Sequence, residues 1–262
     1  AAKRAAAEIA RAIGESGYAA VLVGQADRLQ EAINTKFWCG EIGTYALALD
    51  GDKRACAVRT SNAGHVLYCG VADHEKATLV GRDLMSQALY SGWGVRTVAT
   101  DASLYNPMSY HNGTIWPHDC SIVAAGLARY GMSSYAGRIF TGMFHAACHF
   151  SNFRLPELFC GFQRHAGEGP VTYPSACTPQ AWSSGAVFLM LEATLGVDIN
   201  APAGVVSVRQ PYLPEWLDRV TLNNLAIGDC RATLEFRRRK DGVEVGLTQV
   251  QGNLRLSRTD RM

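Results

Sequence analysis

The hydrophobic positions follow one period over most of the chain and a different one near its end. Over residues 3–36, apolar side chains recur at spacings of three and four in a stretch rich in Ala, Leu, Arg and Glu. This predicts helix, broken near Gly14 to Gly17. Thr44 to Val58 alternates instead about Asp50-Gly51. It predicts a hairpin, with Tyr45-Ala-Leu-Ala-Leu49 before the turn and Ala55 to Val58 after it. Helical spacing returns over 62–71, 73–89, 114–130, 133–150 and 178–195. After Gly196 a linker-like stretch, Asp198 to Gly204, leads into short alternating runs at 205–208, 219–222, 231–236, 243–247 and 253–256. The expected organisation is a helical portion over 1–200 with a β-hairpin near 44–58, then a small antiparallel β unit over 201–262. About sixty residues make a marginal core alone, so that unit should pack on the helices.

Composition narrows the class. The 262 residues are 48% hydrophobic and 18% charged, with a formal net charge of +2, as in a folded globular protein. No run of about eighteen apolar residues escapes charge or glycine, so a membrane span is not expected. The first residues, Ala1-Ala-Lys-Arg4, have neither an initiator Met nor a signal-peptide core, and the chain reads as the middle of something. A charge near neutrality gives nucleic acid no general foothold. Residues 201–262 carry ten Lys/Arg against seven Asp/Glu, but the run Arg237-Arg-Arg-Lys240 precedes the hairpin turn Asp241-Gly242. It reads as a solvated strand end rather than a phosphate patch. Eight singly spread cysteines with no C-x-x-C pair fit free thiols in a reducing compartment, which places the protein in the cytoplasm.

The chemistry sits in loops that introduce the helices: Thr60 to His65, Ser91 to Arg96, Asn106 to Asp119 and Leu155 to Gln180. Helix pairs with elaborate loops at one end suit an α/α toroid or a solenoid, and no fixed repeat supports a regular solenoid. The densest loop is Asn106-Pro-Met-Ser-Tyr-His-Asn-Gly-Thr-Ile-Trp-Pro-His-Asp119. Pro117 suits a helix start and Asp119 its first turn. Capping needs one polar residue, whereas Tyr110, His111, Asn112, His118 and Asp119 fall within ten positions; a ligand-facing loop is the better reading.

Glu157 lies between Pro156 and Leu158-Phe159 in apolar company. It is either an acid/base carboxyl or a cap on a short helix after Pro156, and its neighbours leave both open. Gln180 and Trp182 stand where Pro179 should open a helix, and Trp93 and Arg96 pair an aromatic face with a donor fork. Either tryptophan alone is more often core than a sugar platform. His145 and His149 lack the glutamate of the zincin pattern, and no glycine-rich phosphate loop or G-x-S-x-G elbow occurs. No metal or cofactor is expected. The remaining inventory fits carbohydrate chemistry, where two carboxyls flank a glycosidic bond.

The Asn106–Asp119 segment, Leu155-Pro-Glu-Leu-Phe159 and Tyr173 to Trp182 closely resemble the bacterial amylo-α-1,6-glucosidase or glycogen-debranching-like family. Tyr45 to Lys53 and Ser91 to Thr97 do so as well. The resemblance implies an (α/α)6 toroid, of which six to seven helices supply about half, and inverting hydrolysis of α-1,6 branch linkages in glycogen-like glucans. It implies Glu157 as general base and no cofactor. It puts Tyr110, His111, Asn112, Trp116, His118, Asp119, Gln180 and Trp182 at the sugar, with Trp93 and Arg96 as lesser candidates. The family's general acid is an aspartate in a Gly-Trp-Lys-Asp-Ser-like motif before the opening helix, and this sequence has no such motif. The expectation is therefore a C-terminal portion of the catalytic domain, inactive alone, that associates with the rest of that domain or with itself. A related α-1,4-glucosidase or disaccharidase, or a non-catalytic glucan-binding piece, are the alternatives. Asp119 is a poor substitute acid, because the first turn of a helix favours the charged carboxylate.

Overall fold

A computed structural model describes residues 1–259. Seven helices and ten short strands occur among them. Helices α1 (Ala2–Ala12) and α2 (Ser16–Lys36) are separated at Gly14, where φ is +89°. Two two-stranded ribbons follow, β1 (Trp38–Cys39) with β2 (Thr44–Tyr45) and β3 (Ala48–Leu49) with β4 (Ala55–Cys56). Then come α3 (Asn62–Tyr68), α4 (His74–Leu84), α5 (Pro117–Arg129), α6 (Ser133–Ala147) and α7 (Ala181–Leu195).

Helix α5 is the hub, packing against α3, α6 and α7. Its Val123 and Leu127 are buried with Leu67, Val80, Leu84, Ile139, Met143 and Met190 in one cluster. A second, smaller cluster closes α1 on α2 through Ala7, Ala10, Ala19 and Leu22. Burial of such side chains contributes roughly 1.5–3 kcal/mol for each large one, so the α3–α7 cluster dominates.

The C-terminal strands form two three-stranded sheets. The meander β7 (Arg219–Ile227), β8 (Cys230–Arg239), β9 (Gly242–Gln251) is antiparallel, with its β8–β9 turn at the basic run. The other sheet has the order β10 (Arg255–Thr259), β6 (Val205–Arg209), β5 (Val197–Asn200). Two expectations are corrected here. The unit is not wholly antiparallel, because β10 pairs parallel to β6 after the chain returns from the meander. Val197–Asn200 is also a strand rather than linker, specified by its pairing with β6 and not by burial, since most of it is exposed. Leu191 and Leu195 of α7 join Val206, Val208, Leu234 and Phe236 in the core of this unit, so the sheets and α7 share one apolar interior. No helix among the described residues is long and apolar enough to cross a membrane.

Candidate active site

Four extended loop segments lie side by side above the helices and carry the polar side chains. They are joined by single bridges, Arg96 to Ile115, Ile115 to Phe159 and Phe159 to Thr172. Ile115 and Phe159 exchange both backbone hydrogen bonds, at 2.9 and 3.0 Å, and the Gly161 amide donates to the Pro107 carbonyl at 2.8 Å. These ties hold the Asn106–Asp119 loop against the Leu155–Gly161 segment, so Tyr110 and Glu157 meet although they are 47 positions apart.

Glu157 is buried, and it stands in a loop rather than in the first turn of a helix. The Tyr110 hydroxyl donates to its Oε1 at 2.8 Å, and the Cys177 amide approaches Oε2 at 3.4 Å. Its own amide donates to the Cys177 carbonyl at 2.8 Å. The preceding carbonyl, of Pro156, accepts from the Ser183 hydroxyl of α7 at 2.7 Å. The carboxyl is thus fixed from both sides. The hydrogen bond to Glu157 raises the Tyr110 phenol above its ordinary value, with burial and the carboxyl's charge adding to the effect.

Aromatic rings surround the pair. Tyr110 makes edge contacts with His111, Trp116 and Tyr173 at 4.8, 4.9 and 5.5 Å between centroids. The His118 ring lies 4.7 Å from that of Trp182, a residue that is 46% exposed. Trp116 is nearly buried, its Nε1 donating to Thr114 Oγ1 and the Tyr110 carbonyl. Beside these rings a cleft of about 420 Å3 is lined by Thr60, His65, His111, Asn112, Trp116, His118 and Asp119, among others. Burial lowers the His118 imidazole from its ordinary value. The Asp119 and Glu157 charges oppose that effect and His65 reinforces it.

Several expected ligands are placed differently. Asp119 lines the cleft but is mostly buried: its Oδ1 meets His65 Nε2 at 2.6 Å, and its Oδ2 is buried without a hydrogen bond. Gln180 caps α7, its Oε1 accepting from the Ala181 amide at 2.9 Å. The helix begins at Ala181, not at Pro179, so Gln180 stands just outside it. Trp93 is buried on another face, its ring edge-on to His149 at 5.8 Å and covered by the Arg164 guanidinium at 4.4 Å. Arg96 is a buried strut. It donates to the carbonyls of Gly161 at 2.6 Å, Gln87 at 3.2 Å and Ala88 at 3.4 Å, and to Gln163 Oε1 at 3.0 Å. Burial lowers its pKa, as expected for a cation held mainly by carbonyls.

The guanidinium fork bridges two loops that a single ammonium could not span equally. Arg96→Lys is therefore expected to lower stability by about 2 kcal/mol in urea unfolding. A rise in KM of the intact protein with unchanged stability would instead make Arg96 a ligand.

His65 and Tyr173 were not among the expected site residues. His65 closes the loop Thr60 to His65, which has the same polar and glycine character as its neighbours; that was the available signal.

A helical scaffold that holds a buried carboxyl among aromatic rings has part of what a carbohydrate-active hydrolase needs. Residues 1–154 match the model of the mannosylglycerate hydrolase MGH1-like glycoside hydrolase domain, and the chain belongs to that family. It is 33% identical over 143 residues to a mannosylglycerate hydrolase of Rubrobacter radiotolerans, covering 53% of this chain. That stretch is 32% of the relative, so the chain spans about a third of its length. Among solved structures, its fold is similar to the GH63 mannosylglycerate hydrolase of Thermus thermophilus in complex with glucose. The TM-score is 0.56 at 21% identity, covering 72% of this chain and 44% of that one. It is also similar to a sialidase, with a TM-score of 0.76 at 14% identity, covering 94% of this chain and 24% of that one. The sequence resemblance and these matches agree on a glycoside hydrolase. The family matched is the mannosylglycerate hydrolase-like one, not that of the amylo-α-1,6-glucosidases.

Proposed function

We propose that the intact protein hydrolyses a glycosidic bond with inversion and that Glu157 is its general base. The observation that carries this reading is the buried Glu157 carboxyl, held by Tyr110, whose ring meets Trp116, which in turn meets the part-exposed Trp182. An inverting enzyme needs a base to activate water and, roughly 6.5–9.5 Å away, an acid to protonate the leaving oxygen. The acid would come from a part of the protein outside these residues. In this proposal the chain forms about half of an (α/α)6 toroid, and the remaining helices cover the faces that α1, α2 and α7 leave open. Ile9, Ile13, Val21 and Phe188 are 64%, 71%, 53% and 74% exposed, more apolar surface than helices normally show to water. The cytoplasm suits its eight free cysteines.

Two substrate readings follow. The resemblance of the Asn106–Asp119, Leu155–Phe159 and Tyr173–Trp182 motifs to amylo-α-1,6-glucosidases implies α-1,6 branch linkages of a glycogen-like glucan, although the first motif lies within the residues matched to the mannosylglycerate hydrolase-like family. The match over residues 1–154 favours a small glycoside such as mannosylglycerate. The test incubates the intact protein with panose, maltotriose and mannosylglycerate and reads the first-formed anomer by proton NMR. Hydrolysis of one of them should release the sugar with inverted configuration. Cleavage of panose alone supports the branch-linkage reading, and cleavage of mannosylglycerate alone the small-glycoside reading. A retained anomer, or no cleavage of any of the three, would overturn the proposal.

A further inference from the structure

The cleft contains an Asp–His dyad that joins α3 to α5. Asp119, in the first turn of α5, is 11% exposed at its side chain and stands behind the ring; His65, on α3, is 42% exposed and lines the cleft. The His65 Nε2 to Asp119 Oδ1 distance is 2.6 Å, and Nδ1 makes no hydrogen bond among the described residues. A tie between two helices would be served as well by a buried ring. Here the carboxyl is mostly buried, whereas the His65 side chain is 42% exposed in the cleft that both residues line.

The loop before His65 is firmly held, so the ring has a fixed base. Thr60 bridges to Val98, the Ser61 amide donates to the Thr97 carbonyl at 3.2 Å, and the Ala99 amide donates to the Arg59 carbonyl at 3.0 Å. Arg59 is itself paired with Asp83 and Asp101. The Thr60 hydroxyl, also lining the cleft, is buried without a hydrogen bond.

We propose that His65 binds substrate directly: its Nδ1–H, aimed by the Asp119 carboxyl behind the ring, donates to a hydroxyl oxygen of the neutral sugar in the cleft. The inference rests on the glycosidase reading above and adds a ligand to it. Asp119 then acts as a positioning residue through His65, rather than as a ligand in its own right. Within the dyad the carboxylate and the imidazolium offset each other, which suits an uncharged hydroxyl better than an anion.

Titration gives this arrangement a signature. The hydrogen bond to Asp119 raises the His65 pKa above its ordinary value of 6.5; burial opposes the shift and the Asp119 charge adds to it. When His65 loses its proton, the remaining N–H stays on Nε2, facing Asp119, and Nδ1 becomes an acceptor. Charge-assisted donation to the sugar therefore holds at low pH; as pH rises through the raised pKa it gives way to a weaker neutral bond in which the sugar hydroxyl donates to Nδ1. The other titratable groups facing this site are His118 and Asp119 from α5, His111 from the adjacent loop, and Glu157 beyond His118. Burial moves His118 in the opposite direction, so its titration falls on the acid side.

The experiment follows kcat and KM against pH in the intact protein, with whichever of the three glycosides it cleaves. Wild type should show KM rising above the His65 pKa with kcat little changed. His65→Gln should remove that limb and raise KM about tenfold at low pH, the loss of one charge-assisted hydrogen bond. Asp119→Asn should move the limb to lower pH. A limb that survives His65→Gln with unchanged KM would overturn the inference.

If a variant fails to fold, the nitrogen NMR signal of Nδ1 in histidine-labelled wild type decides, titrated with D-glucose and D-mannose. A sugar-dependent shift, with His65 holding its proton to higher pH, supports the contact; an unmoved signal with both sugars overturns it. If no glycoside is cleaved but the signal moves, the glycosidase reading fails while the His65 contact stands. If cleavage proceeds and the signal and limb do not move, only the His65 contact fails.

Discussion

Glu157→Gln is expected to lower kcat of the intact protein by on the order of 10²–10⁴-fold or more, with oligosaccharide affinity nearly unchanged. Glutamine keeps the shape of the side chain and can still accept the Tyr110 hydrogen bond of 2.8 Å, so the loop should hold its place. It cannot take a proton from water, because an amide is not a base near neutral pH. On the proposed mechanism the reaction would lose its nucleophile activation, while the packing of Tyr110, Trp116 and Trp182, which does not involve the carboxylate's charge, stays as it is. Single-turnover rates and isothermal binding of the same oligosaccharide separate the two effects. Near-normal turnover would remove Glu157 from the base role. A parallel loss of affinity and thermal stability would make it a structural carboxyl tying Cys177 to Tyr110.

The sequence exposed the helices better than the contacts between their loops. Segments α2, α5 and α6 carry enough apolar repeats at spacings of three and four to declare themselves, and Pro117 marks the start of α5. The four-segment loop ribbon has no such signal. Its bridges are single pairs, such as Ile115 with Phe159, and no periodicity develops over one residue. The dyad was equally hidden, because His65 and Asp119 are 54 positions apart and meet only when α3 packs on α5.

Arg96 shows the complementary difficulty. In sequence it stands with Trp93 in a polar, glycine-rich loop, and arginine is a frequent sugar and anion ligand. Burial and the carbonyls around it decide its role, and these come from Gln87, Ala88 and Gly161 in other segments. For Glu157 the apolar neighbours adjacent in sequence announced an enclosed carboxyl but left acid/base group and helix cap both open. Tyr110 as the group that holds it follows only from the fold.

Gly161→Ala is expected to cost about 3 kcal/mol of stability and to reduce kcat as well. A methyl group built on Gly161 would lie 1.7 Å from the Gly113 carbonyl oxygen, a contact between backbones with no side chain free to move aside. One of the two segments must retreat. Both are bound to each other, by Gly161 to Pro107 and by Ile115 with Phe159, so the retreat opens the ribbon that sets Tyr110 against Glu157. Gly161 also supplies the carbonyl that accepts from Arg96 at 2.6 Å and from the Tyr105 hydroxyl at 3.2 Å, so displacement weakens the strut as well. The two effects should appear together: a lower urea midpoint, and a kcat reduced at temperatures where the variant is fully folded. Displacement of about 1 Å at a reacting group is enough to lower rates on the order of a hundredfold. A variant that loses stability but keeps full kcat would show that the Tyr110–Glu157 contact is held by Ser183 and Cys177 alone. In that case the ribbon would serve the fold, and the α7 side of the site would set the geometry of the base.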